Sequence, residues 1–299
     1  YDLALAAKMA EVIEREKIDI LHVHYAIPHA ISALLARDLT EHPVKIVTTL
    51  HGTDITVLGY DPIFKRVITH GIEQSDAVTA VSKALAKDTK NMLHVSKDIS
   101  VIYNFVNEQD YERKPLPSIK KQYEIKPHEK VLIHISNFRK VKRIDDIIHT
   151  FQKINEKIPS KLLLIGDGPE MSTAYALVNE LELDNHVLFL GKQHNIRDLL
   201  SIADLNLLLS EKESFGLVLL EAMHCQVPSI GTNVGGIPEV IEHGKTGFLV
   251  DVGAVNQAAN YGILLLSNET LHQQFSKQSL TVAREKFHSK KIVNEYIAL

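Results

Sequence analysis

Short apolar runs alternate along the chain with segments whose apolar residues recur at helical spacing. Runs of Ile, Val and Leu without polar alternation are typical of parallel strands buried on both faces, and the segments between them would supply the covering helices. The pattern therefore predicts an α/β fold, with a first series of strands at residues 18–23, 44–50, 77–81 and 100–103. A second series is predicted at residues 130–135, 161–165, 186–190, 205–209, 228–231 and 247–250.

A polar stretch that contains two prolines separates the two series of strands. Residues 104–117 show no sustained periodicity, which is typical of a connection between domains. A length of 299 residues also favours two domains over one. We therefore predict two Rossmann-like domains, at residues 1–107 and 108–299. The first is expected to be N-terminally incomplete, because the helix that opens the chain has no strand before it.

Composition and charge exclude several classes of protein. A hydrophobic share of 45% and a charged share of 23% argue against a disordered, collagen-like or coiled-coil chain. The longest apolar runs are far shorter than the roughly 20 residues that span a bilayer. The formal net charge of -4 gives no general attraction to nucleic acid or anionic lipid, so we expect neither as a partner. The single cysteine, Cys225, cannot form an intramolecular disulfide, which favours a reducing, cytoplasmic setting.

Polar residues follow the predicted strands of the first domain, at the edge where open parallel sheets bind ligands. Gly52 would allow a sharp turn after the second strand that leaves His51 facing a ligand. A surface role for this histidine is almost as well supported, because the chain contains 16 histidines. His22 and His24 end the first strand without a nearby carboxylate or cysteine, which argues against zinc. Tyr25 is the better candidate for a ligand contact, the alternative being a residue that caps the sheet edge.

Two segments of the second domain point to a phosphorylated ligand. Between residues 139 and 143, four cations gather where a strand is expected to lead into a helix, and a helix start favours anions. A solvated charge run is the alternative. In the second segment, Glu213 and Glu221 flank Gly216 and a predicted helix start at Leu217. Ionised carboxylates accept hydrogen bonds from sugar hydroxyls, although one exposed and one capping glutamate would give the same pattern.

These segments resemble the retaining glycosyltransferases of family four, which have the GT-B fold. In the second domain the resemblance is carried by ESFGLVLLEA, NVGGIPEVI and GKTGFLV. The strings ILHVHYAIPHA, TTLHGTDIT and ISNFRKVKR resemble the branch of this family that transfers N-acetylglucosamine to L-malate in bacillithiol biosynthesis. The resemblance extends over essentially the whole chain. It implies two Rossmann-like domains that face a cleft, a last helix that crosses back to the first domain, and a first strand and Gly-rich loop before Tyr1.

The resemblance also implies the ligands and the residues that bind them. UDP-N-acetylglucosamine is the implied donor and L-malate the implied acceptor, and His51, Glu213 and Lys142 are the implied catalytic residues. Lys142 would bind the diphosphate, Glu221 the ribose and Glu213 the transferred sugar. The implied acceptor-binding residues are Tyr25, Thr49 and His51. The implied donor-binding residues are Asn137, Arg139, Lys142, Gln193, Glu213, Ser214, Phe215, Gly216, Leu217, Val218 and Glu221.

The family's reaction is attributed to front-face displacement, in which the leaving diphosphate helps to deprotonate the acceptor. The resemblance therefore implies no metal and no other cofactor, and the chain contains no Asp-X-Asp motif. Gln226 stands where the family usually has glycine, which is expected to alter a turn behind the donor site. Alternatives remain: a related transferase with another small or lipid acceptor, a UDP-sugar epimerase or hydrolase, and a silent nucleotide-sugar-binding protein. Homo-oligomer formation is also left open.

Overall fold

Two parallel sheets organise the chain into two units, and the computed structural model describes all residues from 1 to 299. Unit 1 contains Tyr1–Tyr103 together with Val293–Leu299, and unit 2 contains Asn104–Ile292. The division falls beside the polar stretch at residues 104–117. The α/β fold class predicted from the apolar runs is confirmed by these two sheets.

Unit 1 has a sheet of four strands in the order β1-β2-β3-β4. The strands are β1 (Ile20–His24), β2 (Lys45–Leu50), β3 (Ala77–Ala80) and β4 (Ile99–Val101). The helices are α1 (Asp2–Glu16), α2 (Ile31–Asp38), α3 (Thr53–Thr56), α4 (Pro62–Gln74) and α5 (Lys83–Leu93). Ala6, Ala10 and Ile13 recur at helical spacing on α1 and are buried, and the last two belong to a core cluster with Ala36 of α2.

Unit 2 has a sheet of six strands in the order β10-β9-β8-β5-β6-β7. The strands are β5 (Lys130–Ile135), β6 (Ser160–Ile165), β7 (Val187–Gly191), β8 (Leu205–Leu208), β9 (Ser229–Thr232) and β10 (Gly247–Val250). The helices are α6 (Pro117–Gln122), α7 (Ile144–Asn155), α8 (Met171–Glu180), α9 (Ile196–Ile202), α10 (Leu217–His224), α11 (Ile237–Val240), α12 (Val255–Ser267), α13 (Glu269–Lys286) and α14 (Ser289–Ala298). The last helix begins in unit 2, and its residues from Val293 onward belong to unit 1.

The central strands of unit 2 are buried on both faces, which explains their nearly continuous apolar sequence. On β5, Leu132 belongs to the core cluster on one face of the sheet, whereas Val131 and Ile133 belong to the cluster on the other face. On β6, Leu162 and Leu164 alternate with their neighbours in the same way. Each strand therefore contributes to two apolar layers, and its carboxyl end is the part left to carry polar residues.

All ten predicted strands are present, and each observed end lies within two residues of the predicted end. Helices begin at Ile144 and at Leu217, where the cation segment and the glutamate segment predicted them. The connection at residues 104–117 contains a short 3-10 turn, Glu108–Tyr111. None of the helices combines the length and the apolar character that a membrane span requires.

Candidate functional site

In unit 2, the sheet topology brings the cation segment and the glutamate segment together. β5 pairs with β8 on one side and with β6 on the other, so the chain changes direction across the sheet beside β5. Open α/β sheets bind ligands at such a switch point, outside the carboxyl ends of the strands. The segment after β5 carries the cations, and the segment after β8 carries Glu213. The backbone N–H of Glu211 donates to the carbonyl of Val141 at 2.8 Å and joins the two segments.

Lys142 and Glu213 form an ion pair at this switch point. Lys142 Nζ lies 2.6 Å from Glu213 Oε2, and the two side chains are only 17% and 16% exposed. A pair this well shielded interacts more strongly than an ion pair in open solvent. Two residues predicted as catalytic, 71 positions apart in the chain, are therefore in direct contact.

The other cations of the segment are arranged differently. Arg143 donates two hydrogen bonds, at 2.5 and 3.0 Å, to the carboxylate of Asp146 in the first turn of α7. The Arg143 charge is therefore matched by a carboxylate of its own helix, so Arg143 is directed at Asp146 and not at the anion that the cation segment is predicted to bind. Arg139 and Lys140 are exposed and form no ion pair. Asn137 is also exposed, so two of the three predicted donor-binding residues in this turn, Asn137 and Arg139, are accessible.

Two glycine turns hold the site segments by close backbone contact. A Cβ on Gly166 would lie 1.7 Å from the carbonyl oxygen of Ser136, so this turn supports the cation segment. A Cβ on Gly235 would lie 1.9 Å from the carbonyl oxygen of Glu213, and one on Gly236 would lie 2.2 Å from that of Ser214. The Gly236 amide donates to the Glu213 carbonyl at 3.0 Å. Both turns, which are generic as sequence patterns, therefore fix the backbone that carries the charged residues.

Backbone amides at the start of α10 are also available to bind an anion. Gly216 has a φ of 84°, a conformation that favours glycine, and it caps the helix that begins at Leu217. The first amides of a helix have no intrahelical acceptor, so those of Leu217 and Val218 are donors for an anion. Phe215 is buried against Phe287, with ring centroids 5.7 Å apart. Any ligand contact of Phe215 must therefore come from its backbone.

Glu221 has a partner that sequence reasoning missed. The Tyr111 hydroxyl, 110 positions away, donates to Glu221 Oε1 at 2.9 Å. Burial raises the pKa of Glu221, and this hydrogen bond partly offsets the effect. The Cys225 thiol donates to the backbone carbonyl of Tyr111 at 3.2 Å, and burial raises the pKa of that thiol to about 12. Cys225 is therefore a buried structural residue, as its sequence context predicted.

His134 is a second residue that the sequence did not single out. Burial lowers the pKa of His134 to about 4, so the imidazole is neutral. Its Nδ1 lies 2.8 Å from the carbonyl of Leu207 and must carry the hydrogen, and its Nε2 accepts from the Ser136 hydroxyl at 2.8 Å. This histidine joins β5 to β8 by a side-chain hydrogen bond. Gln193, predicted to meet uracil, donates its side-chain amide to the Leu190 carbonyl at 2.5 Å.

In unit 1, the ends of β1 and β2 bring a group of histidines together. The strands are parallel, with His24 opposite Thr49, so their carboxyl ends lie side by side. His24 Nδ1 is 2.8 Å from His51 Nε2, and the ring centroids of Tyr25 and His51 are 5.0 Å apart. Burial, and after it the neighbouring His24 and His22, lower the pKa of His51 to about 4. His51 is therefore a neutral hydrogen-bonding group at neutral pH.

A buried aspartate fixes the two turns that present Tyr25 and His51. Asp54 is 1% exposed and accepts hydrogen bonds from the amides of Ala26, at 2.8 Å, and of Gly52, at 3.1 Å. The turn at Gly52 has a φ of 118°, as the sequence predicted for a sharp turn there. Tyr25, with a φ of 75°, is 36% exposed and accessible to a ligand.

Thr49 does not present its hydroxyl to a ligand. It is 1% exposed, and its Oγ1 lies 2.7 Å from His22 Nε2, 2.7 Å from Thr79 Oγ1 and 3.3 Å from Tyr296 Oη. A hydroxyl has one donor and two acceptor positions, so these partners fill its capacity. The geometry therefore makes Thr49 a support for His22, in place of the predicted acceptor contact.

The two units carry chemically different sites. Unit 2 offers cations, helix amides and two carboxylates, a combination suited to a phosphorylated ligand with free hydroxyls. Unit 1 offers neutral imidazoles and a phenol. No group of three or more His, Cys, Asp or Glu side chains is arranged to hold a metal ion.

Two family models and a curated relative match this chain. The family model "Glycosyl transferases group 1" matches residues 117–281, and "Glycosyltransferase Family 4" matches residues 1–110. The chain is 56% identical over 296 residues to N-acetyl-alpha-D-glucosaminyl L-malate synthase of Bacillus anthracis, an alignment that covers 99% of this chain and 78% of that protein.

Solved structures show the same fold at low sequence identity. HepE of Anabaena, in complex with UDP and glucose, has a TM-score of 0.86 at 22% identity, covering 98% of this chain and 79% of that one. A variant of S. aureus TarM, in complex with fondaparinux, alpha-GlcNAc-glycerol and UDP, has a TM-score of 0.79 at 21% identity, covering 98% and 58%. These likenesses confirm the predicted GT-B fold.

The contact between the turn at Gly235 and Glu213 predicts the effect of an added methyl group. Gly235→Ala should lower the free energy of unfolding by about 2–4 kcal/mol, because it combines an unfavourable positive φ with a backbone clash. Gly244→Ala is the matched control, since Gly244 also has a positive φ but nothing lies within 4 Å of its Cβ position. It should cost only about 1–2 kcal/mol. Urea denaturation measures both, and equal losses would contradict the close contact.

The Tyr111–Glu221 hydrogen bond predicts a pH-dependent stability change. Tyr111→Phe should lower the free energy of unfolding by about 1 kcal/mol at neutral pH. The bond stabilises the ionised carboxylate, so the loss should be full above the raised pKa of Glu221 and should shrink as pH falls through it. Tyr123→Phe is the control, because Tyr123 packs against the same apolar cluster. A loss that is independent of pH, or equal in both variants, would argue against the bond.

Proposed function

Because this chain belongs to the group 1 glycosyltransferases, we propose that it transfers N-acetylglucosamine from UDP-N-acetylglucosamine to the hydroxyl of L-malate, with retention of the anomeric configuration. The name of the Bacillus anthracis relative contains the two groups that would be joined, N-acetylglucosamine and L-malate, and the structure of HepE contains UDP. The observation that carries the proposal is the ion pair of Lys142 with Glu213 at the switch point, in the segment that leads into α10 and Glu221. A sugar nucleotide would find a partner for each of its parts there.

The donor would bind to unit 2. Its diphosphate would lie against Lys142 and the amides of Leu217 and Val218, with Arg139 as a further cation. Glu213 would accept hydrogen bonds from hydroxyls of the transferred sugar while it remains next to the Lys142 ammonium. Tyr111 occupies one oxygen of Glu221, which leaves Oε2 to accept from the ribose hydroxyls. Gln193 would meet the uracil through its backbone, because its side chain is bound to Leu190.

The acceptor would bind to unit 1, beside Tyr25 and His51. In the reaction, the malate hydroxyl oxygen forms a bond to the anomeric carbon as the bond from that carbon to the diphosphate breaks. The proton of the hydroxyl passes to an oxygen of the departing diphosphate. Because the malate oxygen itself attacks the anomeric carbon, no protein nucleophile takes part. Preorganised donors that stabilise charge in the transition state are the main means of catalysis open to such a site. The neutral His51 would hydrogen-bond the transferred sugar near its reacting centre.

We also propose that the reaction needs no metal ion. Lys142, Arg139 and the amides at the start of α10 together supply the positive charge that a divalent cation would otherwise bring to the diphosphate. This assignment follows from the donor set at the switch point.

Malate-dependent release of UDP is the direct test of the proposed reaction. UDP should appear from UDP-N-acetylglucosamine only when L-malate is present, and an excess of EDTA should leave the rate unchanged. Mass spectrometry should detect N-acetylglucosaminyl malate, and NMR should show its α-anomer. Release without malate would instead indicate hydrolysis of the donor, an altered sugar that is still attached to UDP would indicate epimerisation, and binding with neither change would indicate a sugar-nucleotide-binding protein. A rate abolished by EDTA and restored by Mg²⁺ would contradict metal independence alone.

The two glutamates should have separable effects on donor binding. Glu221→Ala should weaken UDP and UDP-N-acetylglucosamine alike, by about 10- to 100-fold, because both ligands contain the ribose. Glu213→Ala should weaken UDP-N-acetylglucosamine more than UDP, because it removes a sugar contact and at the same time releases Lys142 to the diphosphate. Calorimetric titration measures all four affinities. Glu211→Ala, an exposed neighbour, should change neither affinity. Equal effects of Glu213→Ala and Glu221→Ala would contradict the assignment.

A further inference from the structure

We propose that His24 is a positioning residue that fixes which ring nitrogen of His51 carries the proton. His51 would thereby present Nδ1 to the ligand as a hydrogen-bond acceptor. The bond between the two imidazoles carries this inference, and the consequence for catalysis rests on the proposed function.

The two imidazoles are held in a fixed geometry. His24 Nδ1 and His51 Nε2 are 2.8 Å apart, and the rings are tilted by 47° with centroids 5.0 Å apart. The ring of His22 lies against His24, at 4.7 Å, and the ring of Tyr25 lies against His51, at 5.0 Å. His29 Nδ1 donates to the backbone carbonyl of His24 at 2.6 Å and fixes the strand end from which that ring projects.

The proton count of the pair allows only two arrangements. Burial, followed by neighbouring histidines, lowers the pKa of both His24 and His51, so both rings are neutral near pH 7. A neutral imidazole has one donor and one acceptor, so one hydrogen lies between His24 Nδ1 and His51 Nε2. If His24 donates it, both rings carry their hydrogen on Nδ1. If His51 donates it, both rings carry their hydrogen on Nε2.

The second arrangement is the more stable one. The Nε2–H tautomer is the intrinsically preferred form of a histidine ring, and here one hydrogen bond satisfies that preference in both rings at once. His51 Nδ1 then has a free lone pair and can accept from a hydroxyl of a sugar or an acceptor. Which nitrogen of a functional histidine is protonated is commonly set by the hydrogen bond that the other nitrogen makes.

Nitrogen NMR on the unmodified protein tests the tautomers directly. Long-range proton–nitrogen correlation spectra should show His24 and His51 both as Nε2–H at pH 7. Finding His51 as Nδ1–H, or as a mixture of tautomers, would overturn the proposal. This measurement needs no substrate, so it remains decisive even if the protein does not act on L-malate.

Two substitutions of His24 test the consequence for the reaction. His24→Leu removes the acceptor, so His51 should become a mixture of tautomers and kcat for malate-dependent UDP release should fall about tenfold, the size expected for one hydrogen bond. The KM for the donor should stay unchanged. His24→Asn keeps an acceptor near the Nδ1 position and should restore both the Nε2–H form of His51 and most of kcat. His70→Leu, an exposed site on α4, is the control and should change nothing. Equal kcat values in the Leu and Asn variants would overturn the positioning role.

Discussion

The ion pair between Lys142 and Glu213 is the interaction on which the unit 2 site depends. Two opposite charges that are mostly shielded from water are stable only while each has a partner. The structure meets this requirement within the site itself, so no ligand is needed to keep either charge in place. An incoming diphosphate would then share the ammonium with Glu213. A sugar hydroxyl would at the same moment find the carboxylate already oriented.

The backbone contacts around this pair explain why the site needs glycine where it does. Gly235 and Gly236 pass so close to the carbonyls of Glu213 and Ser214 that any side chain would displace the segment that carries the carboxylate. Gly166 has the same relation to Ser136, which precedes the cations. The charged residues lie on loops, but each loop is fixed by a second loop from the neighbouring strand. Rigid support of this kind gives a loop site the precision that catalysis requires.

The sequence was sufficient to predict the fold, and to bring the polar residues of each unit to one sheet edge, because both depend on local patterns. Apolar runs define the strands, and the polar residues that follow them must lie at one sheet edge once the strands are parallel. The contacts of single side chains were harder to predict. Tyr111 meets Glu221 across 110 positions of chain, and nothing in the 3-10 turn that carries it differs from an ordinary connection. Thr49 follows the expected pattern for a ligand contact, yet three hydroxyl and imidazole partners from distant segments already fill its capacity.

The site side chains of unit 2 are charged and those of unit 1 are neutral, because their neighbours differ. In unit 2, the Lys142 ammonium and the Glu213 carboxylate face one another at 2.6 Å. In unit 1, burial and, after it, neighbouring histidines lower the pKa of His22, His24 and His51 and leave these imidazoles uncharged. An imidazolium could only donate, whereas a neutral ring keeps one lone pair. A cluster of neutral histidines is therefore suited to orient hydroxyl groups, while the charge of a phosphorylated ligand is matched in the unit that carries the cations.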